Sequence, residues 1–309
     1  MNQKPLVGYA SQFAILLGLM GVALIISSVL MGFLAAQLLH TPLLQAANEL
    51  LKPENANLAR LLNTAATFIS FFIPAWAVAR IVSKQPFVLL GFSKIISTRQ
   101  LILVAVITFS SMFLSGSLGT LNELIPVPAS FLKKAKALEE AYETAMLSMA
   151  TMHSFGEYLL SLLVIAFAPA LFEEVLFRGS MQQIFIGWTK NPWIGIIITS
   201  LVFSAIHGSY FGFLPRFALG IILGIIFQTS KNLWLSVLMH FLNNGVVATQ
   251  IYILTLSGKP VKEAMNESMP LWLGLVGIAG LFLAFKLFRK ESTLLKKNLQ
   301  PSSDNEYMD

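Results

Sequence analysis

The sequence predicts an all-α protein, a polytopic bundle of about eight transmembrane helices. Three observations carry that expectation. Hydrophobic residues make up 56% of the 309 residues and charged residues only 12%, against about 25% charged in an ordinary soluble domain. Mean hydropathy is +0.72, more apolar side chain than a soluble chain of this length can hide, because folding still leaves a large surface that needs polar cover. The apolar residues are also gathered into eight runs, most of them near the length of about 20 residues that a hydrocarbon core of roughly 30 Å requires.

The eight runs lie near 13–39, 61–82, 101–121, 158–186, 193–208, 212–229, 232–256 and 270–288. The first has no charge between Gln12 and His40 and exceeds the roughly 7–15 apolar residues of a cleaved signal peptide, so it reads as a retained span. After the third run comes a polar stretch, Pro128 to His153, in which Phe131, Leu138, Tyr142, Met146 and Met149 recur at helical spacing among Lys133, Lys134, Glu139, Glu140 and Glu143. It reads as an amphipathic helix, either a connector or a substrate gate. The fourth run is long and carries charges in its second half, and the fifth is short for a crossing. Residues 1–290 are expected to form one transmembrane domain with its core at 158–256. The polar tail 291–309 is expected to be disordered and cytoplasmic.

Eight spans put both termini on one side. Of the 21 Lys and Arg, thirteen then fall on that side, among them Lys84, Lys190, Lys231, Arg289 and Lys290, and eight fall opposite, among them Lys133, Lys134 and Arg216. The excess predicts cytoplasmic termini in a plasma (inner) membrane. The net charge of +6 thus reports topology, with the lipid bilayer as partner and no nucleic acid. The absence of cysteine removes disulfides, thiolate metal sites and a thiol nucleophile.

Ionisable groups inside a span are costly and mark function. Glu173 and Glu174 interrupt the run FAPALFEEVLF, Arg178 follows, His207 ends LVFSAIHG, and His240 and Asn244 lie in LSVLMHFLNNG. Residues four apart share a helix face, which pairs Glu174 with Arg178, Phe203 with His207 and His240 with Asn244. Glu173 is turned by about 100° from Glu174 and faces another partner. Asn243 lies on a different face from Asn244. Arg80 and Arg216 read as span-end residues that reach the interface, and Pro169 as a kink.

These side chains support hydrolysis. A carboxylate and an imidazole can hold and deprotonate a water, and a second imidazole with an amide N–H can stabilise an oxyanion. One carboxylate and two imidazoles (Glu173, His207, His240) are equally a plausible zinc set, although HExxH is absent. A buried Glu and His could also couple protons in a transporter, a reading weakened by the lack of a visible inverted repeat.

The ordered set EExxxR (Glu173, Glu174, Arg178), FxxxH (Phe203, His207) and HxxxN (His240, Asn244) resembles the CPBP family, the CAAX-protease and bacteriocin-processing membrane endopeptidases, also called the Abi family. The resemblance covers residues 160–250. It implies a helical membrane peptidase in which Glu173 and His207 activate water and His240 and Asn244 stabilise the oxyanion. Glu174, Arg178 and Phe203 would support them. It implies a peptide or a membrane-tethered protein as substrate. Both metal-dependent and metal-free glutamate mechanisms have been proposed for the family. The expectation ranks the metal-free one first, with no cofactor, and zinc second. Some members act as non-catalytic immunity or scaffold proteins, which is the alternative function.

Overall fold

The computed structural model describes residues 7–150, 152–262 and 268–298. Ten principal helices follow in chain order: α1 Tyr9–Leu38, α2 Leu43–Leu50, α3 Pro53–Val82, α4 Thr98–Glu123, α5 Ala129–Ala150, α6 Phe155–Thr189, α7 Pro192–Ala205, α8 Phe213–Ser230, α9 Leu233–Leu256 and α10 Leu271–Asn298. No strand occurs among the described residues. Seven helices, α1, α3, α4, α6, α8, α9 and α10, are long and apolar enough to cross a membrane. The expected polytopic helical bundle is therefore present. Its eighth segment, α7, has 14 residues, about 21 Å of helix, shorter than a hydrocarbon core of roughly 30 Å. The last helix continues through residues 291–298. The rest of the expected tail, 299–309, lies outside the described residues.

Large apolar side chains on the outer faces, such as Val29 at 68% and Leu275 at 69% exposure, are what lipid-facing helices require. Inside, one apolar cluster gathers Leu16 of α1, Ala75 of α3, Phe177 of α6 and Phe203 of α7. A second joins Ile107 of α4, Leu223 of α8, Met239 of α9 and Phe288 of α10. Helices α4 and α10 pack closely because small residues line their seam: a Cβ at Gly277 would stand 2.7 Å from the Ser110 carbonyl. Such close approach favours helix association in lipid, where dispersion has to replace the hydrophobic drive.

The turns α6–α7 and α8–α9 share one local code. Lys190 and Lys231 end their helices in the left-handed region at φ 59° and 57°, a conformation costly for a side-chain-bearing residue. Asn191 and Asn232 then cap the next helix, accepting from Trp193 N at 2.9 Å and Trp234 N at 3.0 Å. Thr189 and Ser230 hydroxyls accept from the two Asn backbone N–H groups at 3.3 and 3.1 Å. The matching sequences Thr-Lys-Asn-Pro-Trp and Ser-Lys-Asn-Leu-Trp thus make matching hairpins.

Two helices widen to π geometry just before a proline. In α3 this occurs at Phe68–Phe72, ahead of Pro74. In α6 it occurs at Leu162–Phe167, ahead of Pro169. Proline has no N–H to donate, so the ladder slips by one residue: Ala168 N–H reaches back to Leu163 O. The next carbonyl, Val164 O, would then face Pro169, which has no N–H to offer. The Thr64 hydroxyl of α3 lies 3.0 Å from it while also 2.8 Å from Arg60 O. A neighbouring helix thereby offers a hydroxyl proton, shared with Arg60 O, to a carbonyl that lipid would not satisfy. Pro169 therefore acts through a widened turn and a cross-helix hydroxyl. A third wide stretch, Val175–Gln182, contains no proline and surrounds Arg178. Local π geometry of this kind is frequent at functional sites.

Candidate active site

Helix α6 presents two adjacent acids in two directions. Glu174 points into the protein, where it and Arg178 are fully buried and joined through Oε1 and Nη1 at 2.6 Å. Arg178 Nη2 also donates to Gly220 O of α8 at 3.1 Å, and its guanidinium lies 4.8 Å from the centre of the Phe203 ring. One turn further, Gln182 donates to Gly224 O at 3.1 Å. The close approach of α7 to α8 depends on glycine, because a Cβ at Gly220 would stand 2.9 Å from Ser200 Cβ. The same oxygen of Glu174 lies 3.0 Å from His240 Nδ1 of α9. Glu174 and Arg178 thus tie α6, α8 and α9 into one buried cluster.

Glu173 faces a cavity of about 1170 Å³ that His207, His240, Asn243, Asn244 and Phe203 also line. Its Oε2 stands 4.0 Å from His240 Nε2, too far for a hydrogen bond, and makes no hydrogen bond to any described residue. His207 Nδ1 is bonded to Phe203 O at 2.8 Å, which leaves Nε2 as the free nitrogen of that ring. Phe203 sits between the imidazoles, 5.2 Å from His207 and 5.9 Å from His240 centroid to centroid, both edge-to-face. Asn243 Nδ2 donates to Asn244 Oδ1 at 3.3 Å. That uses the Asn244 carbonyl and leaves its NH₂ as a donor.

The early end of α7 positions His207. Helix α7 stops at Ala205, and His207 lies in the turn that follows it. Gly208, at φ +65°, turns the chain, and α8 begins at Phe213. Asn122 of α4 holds this turn, donating to Tyr210 O at 3.0 Å and accepting from Leu214 N at 3.2 Å. Helix α5 lies across it. Glu139 accepts from Ser209 Oγ at 2.9 Å, Phe131 packs edge-on against Tyr210 at 5.3 Å, and Tyr142 OH accepts from Arg216 Nη2 at 3.1 Å. The amphipathic stretch is therefore a helix that covers the cavity. Tyr142, Met146 and Met149 line the cavity, while Phe131 and Leu138 of the same stripe are exposed.

The structure brings Glu173, His207, His240 and Asn244 to one cavity, with Glu174, Arg178 and Phe203 behind them. It adds three residues that helical-spacing arguments do not single out. Asn243, assigned to another face, lines the cavity beside Asn244. Arg216, read as an interface residue, lines it as well, stacked 5.0 Å from the Tyr142 ring. Asn122 fixes the turn that carries His207. The signal for Arg216 was available, since it lies inside an apolar run as Glu173 does. Among the described residues no group of three His, Cys, Asp or Glu side chains is gathered closely enough to hold a metal ion.

All of these motif residues fall within one stretch of chain that has known counterparts. Residues 155–246 match the family described as type II CAAX prenyl endopeptidase, Rce1-like. The resemblance to the CPBP family is borne out over this segment, which spans α6, α7, α8 and most of α9. An uncharacterized 24.3 kDa protein of Escherichia coli is 37% identical over 111 residues, covering 34% of this chain and 50% of that protein. The uncharacterized protein YpbD of Bacillus subtilis is 34% identical over 93 residues, covering 29% of this chain and 42% of its own length. The chain thus spans about half the length of the curated relatives it matches. No solved structure matches it. The Rce1-like segment contains every motif residue of the cavity, whereas α1 to α5 and α10 lie outside it.

Proposed function

We propose that this chain is an integral membrane endopeptidase that hydrolyses a peptide bond with water activated by Glu173 and His207. The observation that carries the proposal is the convergence of Glu173, His207, His240 and Asn244 on one cavity within an Rce1-like segment. The Glu173 carboxylate and the free His207 Nε2 are two acceptors for the two protons of one water. The water oxygen attacks the scissile carbonyl carbon, and its proton passes to Glu173. The carbonyl oxygen takes up the negative charge and receives hydrogen bonds from the Asn244 NH₂ and from His240. The C–N bond then breaks, the proton moves from Glu173 to the leaving amine, and an acid and an amine result. Positioned acid–base groups of this kind contribute about 10²–10⁴-fold.

The His240 role carries a condition. Its Nδ1 faces Glu174 at 3.0 Å, and the acceptor-only carboxylate requires the Nδ1–H tautomer. Nε2 donates to an oxyanion only when the ring holds a second proton, taken from solvent before the cycle begins, so that Glu173, 4.0 Å away, starts as the carboxylate and delivers its one proton to the leaving amine. Glu174 and Arg178 act by fixing this ring and the backbone around it.

In this reading no metal takes part. The substrate is a peptide or a membrane-tethered protein segment that enters beneath α5. The termini are cytoplasmic in a plasma (inner) membrane, which places α5 on the opposite face. The test is a comparison of the membrane peptidome of cells carrying the wild-type chain with that of cells carrying Glu173→Ala. Cleavage products present with wild type and missing with the variant are expected. An identical peptidome from an equally abundant variant protein overturns the proposal.

A further inference from the structure

On the outer face of the bundle, away from the catalytic cavity, a second cavity of about 630 Å³ opens between α10, α8 and α7. Its wall is aromatic, formed by Phe282 and Phe285 of α10 and Trp193 at the start of α7. Its rim is cationic, formed by Lys286, Arg289 and Lys290. Phe282, Phe285, Lys286, Arg289 and Lys290 fall at spacings of three, four, seven and eight residues, so they share one helix face.

The depth of this cluster follows from the length of α10. Lys286 and Lys290 lie 15 and 19 residues after Leu271, or about 22 and 28 Å along a helix. The hydrocarbon core is about 30 Å thick, so a helix entering at Leu271 carries these cations to the opposite interface. Trp193 marks the same level, since tryptophan concentrates at membrane–water boundaries. The cavity thus runs from hydrocarbon depth at its aromatic wall to headgroup depth at its cations.

None of the three cations has an ion pair among the described residues. The adjacent acid, Glu291, is turned toward α4, where it accepts from the Ser97 hydroxyl at 2.8 Å and lies 3.9 Å from Arg99 Nε. Lys231, Lys190 and Lys296 stand at the same end of the bundle, and Lys296 caps the Thr229 carbonyl at 2.8 Å. Three uncompensated cations above an apolar slot match the chemistry of one ligand, an anionic headgroup with acyl chains.

We propose that this cavity is a binding site for one anionic phospholipid, its phosphate held by Lys286, Arg289 and Lys290 and its acyl chains lying against Phe282, Phe285 and Trp193. A phosphate between several Lys and Arg gains charge-assisted hydrogen bonds, and basic pockets between membrane helices at the cytoplasmic side are known to hold anionic headgroups. The site is independent of the proposed peptidase activity. It would anchor α10 against the Rce1-like helices α7 and α8.

The test uses the full chain purified in detergent and titrated with phosphatidylglycerol or phosphatidylcholine, with bound lipid counted by native mass spectrometry. Wild type is expected to retain one phosphatidylglycerol in preference to phosphatidylcholine. At about 1 kcal/mol per cation, K286Q/R289Q/K290Q is expected to lose affinity for it by roughly a hundredfold. A control variant, K84Q/K94Q/K297Q, removes three exposed cations from the same side and is expected to keep the lipid. Ile225 of α8 also lines the slot; Ile225→Trp fills it while leaving the cations in place and is expected to weaken binding as well. Melting without lipid verifies that each variant is folded. Equal retention of the two lipids by wild type, unchanged binding in the rim variant, or an equal loss in the control variant overturns the proposal.

Discussion

The Glu174–Arg178 pair offers the sharpest test of how this bundle is held together. Both side chains are fully buried, with Oε1 and Nη1 2.6 Å apart, and Arg178 also donates to Gly220 O at 3.1 Å. Arg178→Met keeps most of the aliphatic volume but leaves a carboxylate without its cation, at a cost of about 3–5 kcal/mol for a broken buried pair. Glu174→Gln leaves the guanidinium uncompensated and is expected to cost a similar amount. The double variant removes both charges. Its destabilisation is expected to fall short of the sum of the singles by about 2 kcal/mol, within the 0.5–3 kcal/mol range of directly contacting residues. The assay is denaturant unfolding of the four full-length proteins in the same detergent. Additive single effects, or an Arg178→Met protein within about 1 kcal/mol of wild type, would refute the claim that this pair ties α6 to α8 and α9.

Three further outcomes follow from the geometry. Asn244→Ala is expected to lower kcat by about 10²–10³, the effect of losing one oxyanion donor, with KM and melting little changed. Asn243→Ala is expected to be milder because it acts through Asn244, and steady-state kinetics on a substrate taken from the peptidome checks both. Thr64→Val strips the hydroxyl beside Val164 O and is expected to cost about 1–3 kcal/mol in unfolding, the penalty for a buried polar group left unpaired; Thr64→Ser is expected to restore it. Because the chain contains no cysteine, single substitutions report topology cleanly. In intact cells Lys134→Cys on α5 is expected to react with a membrane-impermeant maleimide and Lys84→Cys only after permeabilisation, and the reverse pattern would invert the orientation.

The helical bundle and most of the cavity residues were legible in the sequence for one reason: charge inside an apolar run is conspicuous. Glu173, Glu174, Arg178, His207 and His240 stood out in that way, and helical spacing paired them. What stayed hidden depended on irregular backbone or distant chain. The proline-linked wide turns in α3 and α6 have a local cause, yet the partner of Val164 O is Thr64, a hundred residues away. Ideal helix geometry puts Asn243 on another face from Asn244, whereas both side chains line the broad cavity. Arg216 resembles any cation near a span end that reaches for water, and its partner Tyr142 belongs to the covering helix α5, which is distant in sequence. The fifth apolar run is visibly short in the sequence, and the turn after α7 carries His207.

The central claim is that Glu173 activates the attacking water. The most direct measurement is the single-turnover cleavage rate of purified, reconstituted protein, wild type against Glu173→Gln, on a peptide identified from the membrane peptidome. Glutamine keeps the shape and removes the base, so a fall of about 10²–10⁴-fold is predicted, with unchanged melting temperature and peptide binding. A Glu173→Gln protein that cleaves within about tenfold of the wild-type rate would contradict the account.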